Sequence, residues 1–331
     1  MSEATRGGGA AAFDRWLRPV TPAERLAAVR VLVGLFALGY TLVRCVHLWG
    51  YADFGAHLFR PVGPVSLLSH PPPGWFTHAM VPLTLLLGAA FLCGWRYRIT
   101  GPAFAFALLW VMSYRNSFGM IFHTENLLVL HVIALGLSPD AADAFAYDSR
   151  RLAQLPDDDG RYGWPLRAAS LVTLVVYVIA GVAKIRNSGT SWIWSDILRN
   201  QVAFDNLRKL KLGSIWSPIG GWLIRVRWIW PPLAALSVVV ELGSPIALLG
   251  GKVTLLWAIG AWGFHMGVLL LMMIAFPYQM SGIAYASLFR VERPRLLRKI
   301  YTRLPSPPPP PPPPRDDDDD DDHDDHDDDA Q

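Results

Sequence analysis

Six residues of this chain place a side chain able to do chemistry inside an apolar neighbourhood: Lys184, Tyr177, Glu241, His265, His123 and Asn126. An ionisable group near the centre of a membrane costs at least about 2.5 kcal/mol, so each needs a partner, a wet cavity or a route to the interface. Lys184 closes the stretch VVYVIAGVAK, residues 175–184. At helical spacing Thr173, Tyr177, Gly181 and Lys184 fall near one face, with Ala180 beside them. A stripe of small and polar residues points into a bundle, where small residues let helices approach. Two readings of Lys184 follow: an ammonium snorkelling from a helix end, or an amine held in an apolar pocket and usable as a base.

The other groups lie in separate apolar stretches. GMIFHTENLLVLHVIALGLSPD, residues 119–140, carries His123, Asn126 and His131, with Glu125 close by. Read as one helix, it puts His123 and His131 on a shared face with Asn126 next to His123. Either interhelical hydrogen bonding or a pocket of acid, amide and imidazole would use them. HTEN is not HExxH, so no zinc or other metal is expected. Ser237, Glu241 and Ser244 make a polar face in LSVVVELGSPIAL, and a carboxylate there calls for a cation, Lys184 or an arginine. His265 sits centrally in its own apolar run, near the small residues Ala261 and Gly267.

The elements that must position these groups are helices. Of 331 residues, 52% are hydrophobic and only 17% charged, with 14 Trp, a composition greasier than that of soluble domains. Apolar windows recur at about 26–48, 79–95, 99–114, 117–137, 168–184, 228–251 and 253–276, with a shorter one at 277–289. A spanning helix needs roughly 20 apolar residues, so the expectation is an all-α polytopic transmembrane bundle of seven or eight spans. Residues 1–25 read as a cytoplasmic lead, 26–290 as the membrane domain, 291–304 as a basic juxtamembrane stretch and 305–331 as a disordered tail. The Pro- and aromatic-rich run 51–80 reads as a re-entrant or interfacial loop.

Arginines before the first window, after the second and before the fifth favour a cytoplasmic N-terminus. The same alternation leaves the basic residues Arg186, Arg199, Arg208, Lys209, Lys211, Arg225 and Arg227 on the wrong side. Either an extra short span within 213–224, or an amphipathic segment at 191–212 lying on the membrane with its cations at headgroups, removes the conflict; the second is preferred. The expected setting is a bacterial inner membrane.

Nearly half the acidic residues lie in the tail, where eight prolines precede an aspartate run, so the net charge of +3 conceals a basic body. That body has no groove-lining basic patch, and no nucleic-acid partner is expected. Cys45 and Cys93 read as small buried hydrophobes. No phosphate loop, nucleophile elbow or metalloprotease motif occurs.

The ordered blocks HTENLL, YVIAGVAKIRNSGTSW, ELGSPIALL and FHMGVLLLMMIAFPYQMSG resemble the horizontally transferred transmembrane (HTTM) family, which includes the vitamin K-dependent gamma-glutamyl carboxylases. The resemblance covers about residues 20–290. It implies that Lys184 matches a lysine that deprotonates a reduced naphthoquinone, that Asn126 or His123 falls in the block supplying polar active-site groups, and that His265 matches a later histidine. Tyr177 and Glu241 would then help bind the cofactor, a reduced menaquinone or vitamin K, and the partners would be membrane lipid, quinone and a small-molecule or peptide substrate. The carboxylases have two adjacent lysines where this chain has Ala183 before Lys184, and they carry a large soluble region after the spans. A quinol-dependent carboxylase or related oxidoreductase is thus one expectation. A non-catalytic or transport-like membrane protein using the same polar residues is the other.

Overall fold

A computed structural model describes residues 3–119, 121–151 and 157–292. Among these the fold is helical, and the only β-type pairing is an isolated antiparallel bridge between Thr21 and Asp159. Helix α1 (Glu3–Leu17) lies within the expected lead and is followed by α2 (Ala23–Gly50). Then come α3 (Gly74–Cys93), α4 (Tyr97–Asn116), α5 (Asn126–Gly136) and α6 (Gly160–Ser188). The last part holds α7 (Ser191–Trp194), α8 (Ile197–Lys211), α9 (Pro218–Leu223), α10 (Trp230–Leu242), α11 (Gly251–Met272) and α12 (Pro277–Met280).

Four of these helices are long and apolar enough to cross a membrane: α2 with the turn that continues it to Asp53, α3, α6 and α11. The window 99–114 gives the continuous 20-residue helix α4, and the three other windows fold differently, for local reasons. Residues 117–119 and 121–125 leave the helical path, with Gly119 at φ 100°, so the fourth window yields an 11-residue helix. Consequently His123 precedes α5, and the shared helical face expected for His123 and His131 does not exist. The window 228–251 gives α10, which stops at Leu242 where Ser244–Leu249 tightens into a 3₁₀ turn. Pro245 has no N–H to continue the helix. Gly250, at positive φ, then separates that turn from α11, whose first residue Gly251 is also at positive φ. The final window becomes α12 and a 3₁₀ turn at Ile283–Leu288. Residues 293–331, which hold most of the basic stretch and all of the expected tail, lie outside the described residues.

The core runs between the long helices. Leu26 and Val33 of α2, Phe91 of α3, Phe104 and Leu108 of α4 and Leu135 of α5 are all sealed from solvent in one cluster. Helices α4 and α5 cross where Gly101 faces Gly136; a Cβ on either would sit 2.7 or 2.6 Å from the other's carbonyl oxygen, so only glycine permits this approach. Arg30 is fully buried, and its guanidinium donates to the carbonyls of Phe91 (2.8 Å) and Leu92 (3.1 Å) at the end of α3 and of Phe145 (2.6 Å). A cation at a helix C-terminus meets both the dipole and the unpaired carbonyls. The loop 51–73 forms short 3₁₀ turns whose Tyr51, Phe59 and Val65 pack on Tyr114. Both cysteines are free, and neither is fully buried as expected: Cys93, the last residue of α3, is exposed, and Cys45 is half-buried against the edge of the core.

Candidate functional site

Lys184 and Glu241 meet. Helix α6 begins with the Asp159 carboxylate accepting from Arg161 N (2.8 Å), which satisfies a first-turn donor. It runs unbroken to Ser188, placing Tyr177, Gly181 and Lys184 toward α10 and α11, while Thr173, at the start of the stripe, meets His131 of α5 and the Ala284 carbonyl. At Gly181 a Cβ would meet the Leu242 side chain at 2.7 Å and Glu241 Cβ at 3.0 Å, so the glycine admits α10 to close range. One turn further on, Lys184 Nζ donates to both Glu241 oxygens, each at 2.6 Å. The Lys184 side chain is 18% exposed and that of Glu241 is 3% exposed. The ammonium also lies 5.1 Å from the Trp192 ring and 5.2 Å from the Phe264 ring. Trp192 is itself fixed, donating from its indole nitrogen to Ser237 Oγ at 3.3 Å.

Lys184 of this pair lines a cavity of about 410 Å³ between α6, α10 and α11, with α8 across it. Leu198 and Val202 come from α8, Leu233 and Leu236 from α10, and Gly263 and Gly267 from α11. A Cβ at Gly263 or Gly267 would find no atom within 4 Å, so these glycines hold the space open rather than permitting contact. An apolar cavity of this size with a few convergent polar groups is the usual form of a small-molecule site.

A second cluster lies deeper on the same face of α6. Tyr177 Oη is 2.9 Å from His265 Nε2 and 2.8 Å from Tyr285 Oη, all three buried. Phe264 lines the cavity while its neighbour His265 turns away from it, and their rings are 5.2 Å apart. His265 Nδ1 has no hydrogen-bond partner among the described residues. The two clusters share α6, and Tyr177 is within electrostatic reach of Glu241.

The remaining sequence candidates fall elsewhere. His123 is exposed in the loop before α5, with its ring 5.5 Å from Phe276, which in turn is 4.7 Å from the His265 ring. Asn126 is exposed in the first turn of α5, and its side chain makes no hydrogen bond among the described residues. His131 is buried in a network of its own, with Nδ1 2.6 Å from Tyr278 Oη and Nε2 2.9 Å from Thr173 Oγ1. Glu125 accepts from Tyr40 and pairs with Arg115 Nη1 at 2.9 Å. Burial alone would raise its pKa, but the hydrogen bonds from Tyr40, Thr124 and Arg115, with the arginine's charge, hold it below the usual carboxylate value. No group of three or more metal-ligating side chains occurs among the described residues.

Trp192, Tyr285 and Gly263 belong to the site and were not named from the sequence, and Gly267 was named only as a small neighbour of His265. Trp192 had a signal, as the aromatic closing the lysine segment. Tyr285 had almost none, since it lies in a 3₁₀ turn inside what reads as a continuous apolar window.

Fold and site together define a helical protein with four helices long and apolar enough to cross a membrane and a largely buried ion pair beside an apolar cavity. Set against known protein families, curated proteins and solved structures, the chain matches none of them.

Proposed function

We propose that the chain is an integral membrane protein of the HTTM, carboxylase-like type whose cavity takes a reduced naphthoquinone, with Lys184 exchanging a proton at the quinol hydroxyl. The observation that carries this reading is the Lys184–Glu241 pair, whose lysine lines the 410 Å³ apolar cavity. The residues present suit such a group: apolar side chains for a hydrocarbon body, two aromatic rings beside the ammonium, and open space over Gly263 and Gly267. When bound, the quinol supplies two electrons and an ionisable hydroxyl.

The chain's own groups handle the proton. Glu241 chelates the Lys184 ammonium, and an ammonium is no base until it gives up a proton. With both oxygens 2.6 Å from Nζ, passing that proton to the carboxylate needs no side-chain movement. Nζ then has a lone pair for a hydroxyl placed in the cavity. Gln201 and Ser237 line the same cavity and offer further hydrogen bonds. His265, Tyr177 and Tyr285 lie behind it and act on the site only through α6 and Phe264. The second substrate is a small molecule or peptide. In this reading α4 and the shorter α5 and α10 add three crossings to the four long helices, which gives seven, the lower of the two expected counts, in a bacterial inner membrane with the N-terminus cytoplasmic.

One observation favours a rival, a protein that binds or moves an amphiphile without chemistry: the same ion pair also ties α6 to α10. Organic extraction of purified protein, followed by quinol-dependent turnover of wild type and Lys184→Ala, separates them. The proposal expects a naphthoquinone in the extract and turnover lost in the inserted, folded variant. A bound quinone with turnover equal in both proteins rejects Lys184 as the base, and no bound quinone with no saturable binding of added menaquinol rejects the cofactor.

A further inference from the structure

We propose that the face formed by α8, α9 and the chain running on to Trp228 docks on the anionic headgroup layer of the bilayer. This goes beyond the cavity reading and does not depend on it. Side chains of this segment are bound to the C-terminal end of α11: Asn206 Nδ2 donates to Leu271 O at 2.9 Å, and Lys209 Nζ and Ser217 Oγ donate to the carbonyls of Met272 and Leu270. The segment is therefore fastened where a helix of membrane-spanning length ends, which is the level at which hydrocarbon gives way to headgroups.

Its outer surface has the chemistry of that level. Phe204, Leu207, Leu212, Ile215, Trp222 and Trp228 are all exposed, Trp228 to 77%. Tryptophan concentrates at membrane interfaces, where an apolar ring carries a polar N–H. The charges are sorted as well. Residues 191–228 hold six cations and two carboxylates. Asp205 is turned inward against Arg208 (2.9 Å) and Lys209 (2.8 Å), and Asp196 is taken by Arg227 (2.6 Å) and Arg199 (3.4 Å). Lys211 and Arg225 are exposed and form no ion pair among the described residues. What faces outward is apolar surface bordered by uncompensated positive charge, a surface complementary to a phospholipid layer bearing negative headgroups. A soluble acidic partner would match the cations and leave the tryptophan and isoleucine side chains without a complement.

The test uses the full chain with Cys45→Ser and Cys93→Ser, and a fluorophore on Leu207→Cys, reconstituted in mixed phosphatidylglycerol and phosphatidylcholine. Bromine placed in one lipid or the other quenches only a probe in contact with that lipid. The expected result is stronger quenching by brominated phosphatidylglycerol, with the preference falling up to about fivefold for each cation removed in Lys211→Gln and Arg225→Gln. Both positions are exposed, so folding is retained. Equal quenching by the two lipids, or an unchanged preference in the double variant, overturns the anionic-lipid assignment. Absence of quenching by either means that water or another protein covers this face, and overturns the proposal altogether.

Discussion

Replacing Lys184 by methionine keeps the apolar stem and removes the charge, which isolates what the ion pair does. Glu241, 3% exposed, would be left as a buried carboxylate whose two closest donors have gone. Exposed ion pairs contribute roughly 0–1 kcal/mol, whereas removing one partner of a buried pair costs about 3–5 kcal/mol. Burial of the carboxylate places this pair in the second class, and the 18% exposure of Lys184 places it toward the lower end, about 3 kcal/mol. The second variant, Lys184→Met with Glu241→Met, removes both charges and keeps volume, so its cost should fall within about 1 kcal/mol of wild type. Acidification should relieve the single variant and not the double, because a protonated Glu241 no longer carries a buried charge. Equilibrium unfolding in mixed micelles, followed by tryptophan fluorescence, measures all three proteins. A single variant that costs no more than a surface pair, or a double variant as unstable as the single, refutes the argument that this pair is dry and mutually dependent.

Three more outcomes follow from the packing. Arg30→Lys should destabilise by about 2 kcal/mol or more, since one ammonium cannot serve the carbonyls of Phe91, Leu92 and Phe145 that the planar guanidinium serves together; thermal unfolding in detergent reads the loss. Gly263→Ala should leave stability within about 1 kcal/mol of wild type, whereas Gly220→Ala, whose Cβ would lie 2.0 Å from Leu271 O, should cost about 1–3 kcal/mol, so the same unfolding assay on both tells empty space from contact. Glu125 has a depressed folded-state pKa, so its contribution is complete above the unfolded value near 4.5 and is lost as pH falls through the folded value; Glu125→Gln should flatten the acid limb of a stability–pH profile and lower the plateau above it.

How much of this was legible beforehand depends on whether the signal was periodic or positional. The stripe Thr173, Tyr177, Gly181 and Lys184 could be read because α6 is one unbroken helix, and an unbroken helix preserves its spacing in space. The carboxylate at Glu241 could be expected to seek a cation for the same energetic reason that made it conspicuous. Hydropathy windows failed where backbone chemistry interrupts them. A window average does not register Pro245, or the paired glycines at 250 and 251, and so it joins a 13-residue helix to the 3₁₀ turn that follows it. The same blindness drew His123 into a helix that begins three residues later and gave it a false neighbour in His131.

The cavity itself could not have been read from any one segment, because its walls are defined by what four helices leave out. Gly263 and Gly267 look like the small residues that let helices touch, and Gly181 is of that kind. The two roles are indistinguishable in a sequence and opposite in space: at Gly181 a methyl group would collide with α10, and at Gly263 it would project into a void. What separates them is α8. The strap meets α11 at its C-terminal end, through Asn206, Lys209 and Ser217, and so spans the gap over the glycines instead of filling it. Had α8 packed flat along α11, Leu198 and Val202 would have occupied the space, and the charged pair at Lys184 would have been sealed. The polar fastening at one end of α11 therefore keeps room for a ligand beside the ammonium. On that account, Asn206→Leu should reduce ligand binding at Lys184 although it does not touch the ion pair and meets the lining residues Val202 and Leu271 only at their backbone carbonyls, and unchanged binding in a folded variant would remove the strap from the argument.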